Sequence, residues 1–199
     1  DLKDSRTGDR YAAVVNSAAA HLIHIQKKYA DRILEMRRLP QPIIAAVNGT
    51  AAGGGLCLAL AADVIIAGEM AAFIPSFINI GLSGGELGSS YFLPRAVGAP
   101  RAAEILMTGR TVGAEEAERI GLVSKKVAQE ELMAAAMETA RRMIAKSTMG
   151  LRLTKEAMNF NIDAPSLETA IEMENKNQSI CIFTPEFLEA VAAFQQRKK

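Results

Sequence analysis

Apolar positions fall in short continuous runs in the first half of the chain and in helical stripes in the second. Over residues 10–38, Val14, Ala18, Leu22, Ile25, Tyr29, Ile33 and Met36 recur at helical spacing and predict one long helix. Arg37 and Arg38 close it, where cations suit the helix dipole, and Pro40 ends it. Behind Pro42 the run Ile43, Ile44, Ala45, Ala46, Val47 reads as a buried strand. Gly53, Gly54 and Gly55 follow, and then Leu56, Leu58, Ala59, Leu60 and Ala61, so the glycines stand where a helix begins. Residues 63–67 and 71–74 predict two more strands, joined by the turn Gly68-Glu69-Met70. Strand, helix and strand at this spacing predict a crossover connection and an α/β layer.

Residues 77–98 form a glycine-rich stretch with a lone acid, Glu86, followed by an apolar helix over 89–97 that Pro94 interrupts. Helices are then predicted over 102–108, 114–120, 130–146 and 151–160, with an extended link over 122–127. Asp163, Pro165 and Ser166 mark another helix start, and Phe187, Val191 and Phe194 stripe the last helix. Met133, Met137, Ala140 and Ile144 make a stripe that reads as core or subunit contact rather than a cofactor box. The polar residues 1–9 read as a loop, with a further N-terminal segment expected ahead of Asp1.

Composition narrows the function classes. A chain of 199 residues with 49% apolar and 23% charged side chains is expected to be one domain with a sizeable core. A net charge of +1 argues against nucleic acid as the main partner, which calls for a concentrated basic face. Cys57 and Cys181 lie far apart in apolar contexts without a CxxC pattern, as in a reduced intracellular protein without structural metal. No apolar run approaches the ~20 residues of a membrane span, and no signal peptide is expected from the opening DLKDSRTGDR. The expectation is a cytoplasmic protein with neither membrane nor nucleic-acid partner. His21 and His24 stand at i, i+3, but no third ligand accompanies them, so they read as solvated or packed side chains.

The chemistry begins at the glycines. The first N–H groups of a helix have no internal partner, which makes a glycine-bared helix start a ready site for a partly negative oxygen. Read structurally, the same glycines serve tight strand–helix packing.

Three stretches, IIAAVNGTAAGGGLCLALAADVIIAGE, IGLSGGELGSSYFLPRAVG and AAEILMTGRTVGAEEAERIGLVSKKV, together resemble the crotonase superfamily of enoyl-CoA hydratases and isomerases. The likeness runs over essentially the whole chain, with DLKD similar to the part that follows the family's SAGAD loop and Asp1 matching its Asp, which implies that the first third of the usual domain is absent here. It implies an α/β fold, a ββα spiral core over 1–145 that is N-terminally incomplete, and a C-terminal helical oligomerisation region over 146–199. It also implies an acyl-CoA thioester substrate, no cofactor beyond that coenzyme A, and a homotrimer or dimer of trimers.

In the family two backbone amides stabilise a thioester enolate. One falls on Gly54, with Gly53 beside it; the other precedes the residue matched by Asp1. The two glutamates of typical hydratases fall on Cys57 and Phe77, so that arrangement is absent. Glu86 matches a third acidic position, used by dienoyl-CoA isomerases, allowing for one inserted residue. A single carboxylate suits removal and return of one proton, which favours isomerase over hydratase chemistry. The bland reading of Glu86 is a helix N-terminal acid worth ~0.3–1 kcal/mol. Cys57 reads as a packing thiol, because no base accompanies it. Glu69, Glu115 and Glu116 read as structural or solvated.

For the coenzyme A phosphates the resemblance offers Lys3, Arg197 and Lys198, for which solvated surface charge is an equal reading. Tyr91 and Phe92 are candidates for the acyl pocket, with core packing as their plainer role. The competing functions are a non-catalytic acyl-CoA binder that kept the fold but lost its carboxylates, and a pure assembly subunit.

Overall fold

A computed structural model describes residues 19–196, and the side chains of 25–195. The first helix, α1, is Ala19–Arg38, and the chain then turns into β1 (Ile44–Val47). A second strand that the apolar pattern did not announce, β2 (Thr50–Ala52), separates β1 from the glycines, and α2 is Gly54–Ala61. Strands β3 (Val64–Gly68) and β4 (Ala72–Ile74) follow. Beyond them come α3 (Ser89–Val97), α4 (Ala99–Thr108), β5 (Val112–Gly113), α5 (Ala114–Arg119) and β6 (Lys125–Val127). Four helices complete the described residues: α6 (Leu132–Ile144), α7 (Thr148–Asn161), α8 (Leu167–Ile182) and α9 (Pro185–Gln196).

The six strands form two three-stranded sheets, β1-β3-β6 and β2-β4-β5. Ile44 pairs with Val64 and Thr50 with Ala72, both in parallel register, so successive strand pairs each send one strand to either sheet. β6 adds to β3 in parallel, while the two-residue β5 closes the second sheet antiparallel to β4. The turn between β3 and β4 therefore carries the chain from one sheet to the other. The result is a spiral of strand pairs and crossover helices, which is the α/β architecture expected from the pattern.

Alternation along β3 sorts the core into two layers. Ile65 and Ala67 face the main cluster with Leu56, Leu60, Phe73 and Leu93. Ile66 faces the other way and meets Leu132 and Ala136 of α6. That contact overturns the core reading of the methionine stripe. Leu132 and Ala136 hold α6 to the sheet, which turns Met133, Met137 and Ile144 outward, at 63%, 48% and 76% exposure. Tyr29 of the α1 stripe is likewise exposed, and Ile33 carries the buried side of that helix.

Two polar clusters pin the outer elements. Asp63 Oδ2 accepts from the Ile43 N–H and from Lys155 Nζ, both at 2.7 Å, and Oδ1 accepts from Arg37 Nη1 at 3.1 Å. Lys155 also donates to the Met36 and Gln41 carbonyls, so one buried ammonium joins α7 to the end of α1. The TGR…AEEA motif is explained by Arg110, whose guanidinium bridges Glu104 of α4 and Glu116 of α5 at 2.7–3.2 Å. Among the described residues no helix is long and apolar enough to cross a membrane.

Asp63→Asn leaves the Lys155 ammonium, 6% exposed, without its counter-charge. It is expected to destabilise the protein by about 3 kcal/mol, read as a lower urea midpoint at unchanged m-value. Arg110 holds the Glu116 carboxyl below its ordinary value, chiefly by direct hydrogen bonding. A lowered carboxyl pKa stabilises the fold above the unfolded value and is lost as pH falls through the folded one. Arg110→Gln should therefore cost stability at pH 7, and the difference from wild type should shrink as pH is lowered through the acid range.

Candidate active site

The glycine turn divides its N–H groups. Gly53 stands at φ +51°, and its N–H is spent on the Ile74 carbonyl at 2.9 Å. A Cβ there would lie 3.0 Å from Ser76 Oγ and 3.3 Å from the Phe77 ring, so this position admits only glycine without displacement. Gly54 opens α2, where its N–H has no backbone partner among the described residues. A Cβ at Gly54 would meet nothing within 4 Å, so space lies open beside it. Of the two glycines predicted to contact substrate, Gly54 is the one with a donor to give.

Cys57 and Phe77, which the resemblance matches to the hydratase glutamates, come together beside this turn. They share one apolar cluster with Ile33, Ala61, Leu87 and Phe92. Burial pushes the Cys57 thiol up to about 11, and the Glu86 charge adds to the shift. Its Sγ donates to the Glu86 carbonyl at 3.3 Å. A neutral thiol packed this way is a poor nucleophile.

Glu86 rides on a loop that crosses the core edge closely. A Cβ on Gly84 would sit 2.3 Å from the Leu106 carbonyl oxygen. Ser89, 1% exposed, ties the loop: its Oγ donates to the Gly84 carbonyl and accepts from the Glu86 N–H, at 3.0 and 2.9 Å. Leu87 is the one non-glycine residue at positive φ (46°) among the described residues. This conformation, costly for a branched side chain, folds the Leu87 N–H back onto Glu86 Oε1 at 3.0 Å. Gln26 Nε2 donates to the same oxygen, so Oε1 is doubly held while no hydrogen bond falls on Oε2 among the described residues.

A cavity of about 510 Å³ opens between α1, α3 and the end of α7, with Glu86 in its wall. Ile33, Leu34, Leu87, Phe92 and Ile162 make it largely apolar. Tyr91, a predicted acyl-pocket residue, also lines it, and its hydroxyl donates to Asp163. Burial and then Asp163 raise the Tyr91 phenol. Arg95 stacks 3.7 Å from the Tyr91 ring and donates to Asp163 at 2.8 Å, so three side chains close that rim. Among the described residues no group of three or more His, Cys, Asp and Glu side chains is arranged to hold a metal ion. Lys3, Arg197 and Lys198 lie outside the described residues.

Sequence reading missed Gln26, Ser89, Arg37 and Asn159 as parts of this site. Ser89 had a local signal, as a hydroxyl three residues after Glu86 at a helix start. Gln26 had none, because it meets Glu86 across sixty residues.

The family model for enoyl-CoA hydratase/isomerase matches residues 8–199. Among curated proteins, a probable enoyl-CoA hydratase, EchA12, of Mycobacterium tuberculosis is 52% identical over 169 residues, covering 84% of this chain and 59% of that protein. The chain thus spans about three-fifths of the length of such relatives. Among solved structures, a probable enoyl-CoA hydratase/isomerase from Mycobacterium abscessus superposes with a TM-score of 0.87 at 44% identity. That match covers 91% of this chain and 70% of the other. A monofunctional enoyl CoA isomerase from M. smegmatis matches with a TM-score of 0.64 at 52% identity, over 70% of this chain and 65% of its own. Two sheets built by a strand-pair spiral, a helix opened by glycines and these matches lead to one conclusion: the chain belongs to the enoyl-CoA hydratase/isomerase family, with the crotonase fold.

Proposed function

We propose that the chain carries the proton-transfer half of an acyl-CoA site of the isomerase type. Gly54 N–H is one oxyanion donor for the thioester enolate, and Glu86 is the single acid/base. The observation that carries this reading is the state of the Glu86 carboxylate. It lines an apolar cavity, its main-chain carbonyl accepts from Cys57 in the first turn of α2, and its Oε1 is held by Gln26 and Leu87 with Oε2 unbonded among the described residues. A carboxylate held by one oxygen is oriented to take a proton on the other and give it back. Cys57 and Phe77 supply no second carboxylate, so activation of water on one face and protonation on the other has no pair of groups to do it. Preorganised donors at a developing oxyanion are worth ~2.7–4 kcal/mol of barrier each, which one amide at Gly54 and a second from elsewhere in the complete site would provide.

Hydratase turnover, through water held by Glu86 alone, is the second enzymatic reading, and the name of the Mycobacterium tuberculosis relative favours it. A non-catalytic acyl-CoA binder is favoured only by the apolar pair Cys57 and Phe77. No cofactor beyond the substrate's own coenzyme A enters these readings, and the compartment is the cytoplasm. We also propose a homotrimer or dimer of trimers, with 146–199 as its helical region and 1–145 as the spiral core. Leu167, Phe183 and Leu188 support it, at 70%, 84% and 61% exposure on α8, its end and α9.

The deciding assay compares crotonyl-CoA with a 3-enoyl-CoA on the full-length protein. The 3-enoyl thioester should be the better substrate, and Glu86→Gln should lower its turnover at least ~100-fold. An active Glu86→Gln enzyme would show that another group moves the proton, and acyl-CoA binding without turnover would hand the lead to the binder reading. Sedimentation at micromolar concentration should give a trimer or hexamer that Phe183→Lys weakens; a wild-type monomer would sink the assembly.

A further inference from the structure

The cavity beside Glu86 is also lined by a charge that the reaction does not use, Arg37. Gln26, Ala30, Ile33, Leu34 and Arg37 lie on one face of α1. Gln26 holds Glu86 at one end of this face. Arg37, eleven residues later, lines the cavity about 16 Å further along, at ~1.5 Å rise per residue. Between them the wall is Ala30, Ile33 and Leu34, faced by Leu87 and Phe92. Along α1 the partner of the Glu86 carboxylate and the Arg37 guanidinium thus stand about three helical turns apart, with an apolar wall between them.

Arg37 is fixed in place. Nη1 donates to the Ala61 carbonyl and Asp63 Oδ1 at 3.3 and 3.1 Å, and Nη2 donates to Asn159 Oδ1. Asn159 returns the bond, its Nδ2 donating to the Arg37 carbonyl at 2.9 Å, and the guanidinium lies 5.6 Å from the centre of the Phe92 ring. A guanidinium has five N–H groups, so two remain unfilled among the described residues. Charge is also in surplus. Asp63 is shared by Arg37 and Lys155, which leaves one positive charge on the cluster. Glu156, across the adjoining cleft, is paired with Lys176 at 3.4 Å and does not cancel it.

We propose that Arg37, set by Asn159, reads the distal end of the acyl group, and that the preferred substrates are CoA thioesters whose long acyl chain ends in a carboxylate. The inference rests on the acyl-CoA reading above. The apolar wall takes the methylenes, and the distal carboxylate fills the two free N–H groups and neutralises the surplus charge. A methyl-ended chain of equal length leaves both uncompensated in a largely desolvated wall, which is the kind of mismatch that yields strong discrimination.

The test uses the full-length protein and two 3-enoyl-CoA thioesters of equal chain length, one ending in methyl and one in carboxylate. The wild type should favour the carboxylate-ended thioester at least tenfold in kcat/KM, mostly through KM. Arg37→Gln should bring that ratio towards one, and Arg37→Lys should keep part of it. The wild-type ratio needs no variant, so misfolding of Arg37→Gln leaves the proposal testable. Equal or better use of the methyl-ended thioester by wild type overturns it while leaving the acyl-CoA reading intact, as does a ratio unchanged in a folded Arg37→Gln. Failure to bind or turn over either thioester overturns both.

Discussion

The Asp63 carboxylate at the mouth of β3 is the fixed point on which the site's geometry depends. One oxygen takes the Ile43 N–H and the Lys155 ammonium, and the other takes the Arg37 guanidinium. Those three contacts join the entry to β1, helix α7 and the last turn of α1. Buried charges are stable only when paired and hydrogen-bonded, and here the two cations are also held by the carbonyls of Met36, Gln41 and Ala61. The cluster fixes α1 against α7, and the space left between these helices and α3 is the apolar cavity. Its geometry thus rests on polar contacts lying outside its apolar lining.

The glycine turn and the Glu86 loop are organised by backbone rather than charge. Gly53 spends its N–H on β4, which leaves Gly54 as the first amide of α2 with its donor unspent. The loop of residues 84–89 is held against the core by the buried Ser89 hydroxyl and by the closeness of Gly84 to Leu106. Leu87 takes a left-handed conformation so that its N–H can reach Glu86. Strain stored next to a lone carboxylate, with neighbouring residues holding only one of its oxygens, is the arrangement expected where orientation of that group matters more than stability.

The apolar character of Cys57 and Phe77 has a second consequence. Cys57 and Phe77 pack with Ile33 and Leu87, so the region between the glycine turn and Glu86 is apolar. An apolar wall strengthens every remaining electrostatic contact, which places more weight on the few polar groups that face the cavity. Those groups are Glu86, Tyr91, Asn159 and Arg37.

Local physics made much of this legible from residues alone. The run 43–47, the glycine triplet and the apolar stretch after it predicted strand, turn and helix, because backbone freedom and apolar burial act over a few residues. Ser166 caps α8 by accepting the Thr169 N–H, as its position before the helical pattern implied. The resemblance pointed to Gly54 and Glu86, and it matched Cys57 and Phe77 to the hydratase glutamates. Tertiary structure alone decided the rest. The short strands β2 and β5 form because partners across a sheet complete their hydrogen bonds, not because three or two residues announce a strand. The methionine stripe of α6 faces outward because Leu132 and Ala136 reach Ile66 first, a choice that helical periodicity leaves open. Gln26 beside Glu86, and Asn159 beside Arg37, meet across 60 and 122 residues, and contacts at that separation are written in no local pattern.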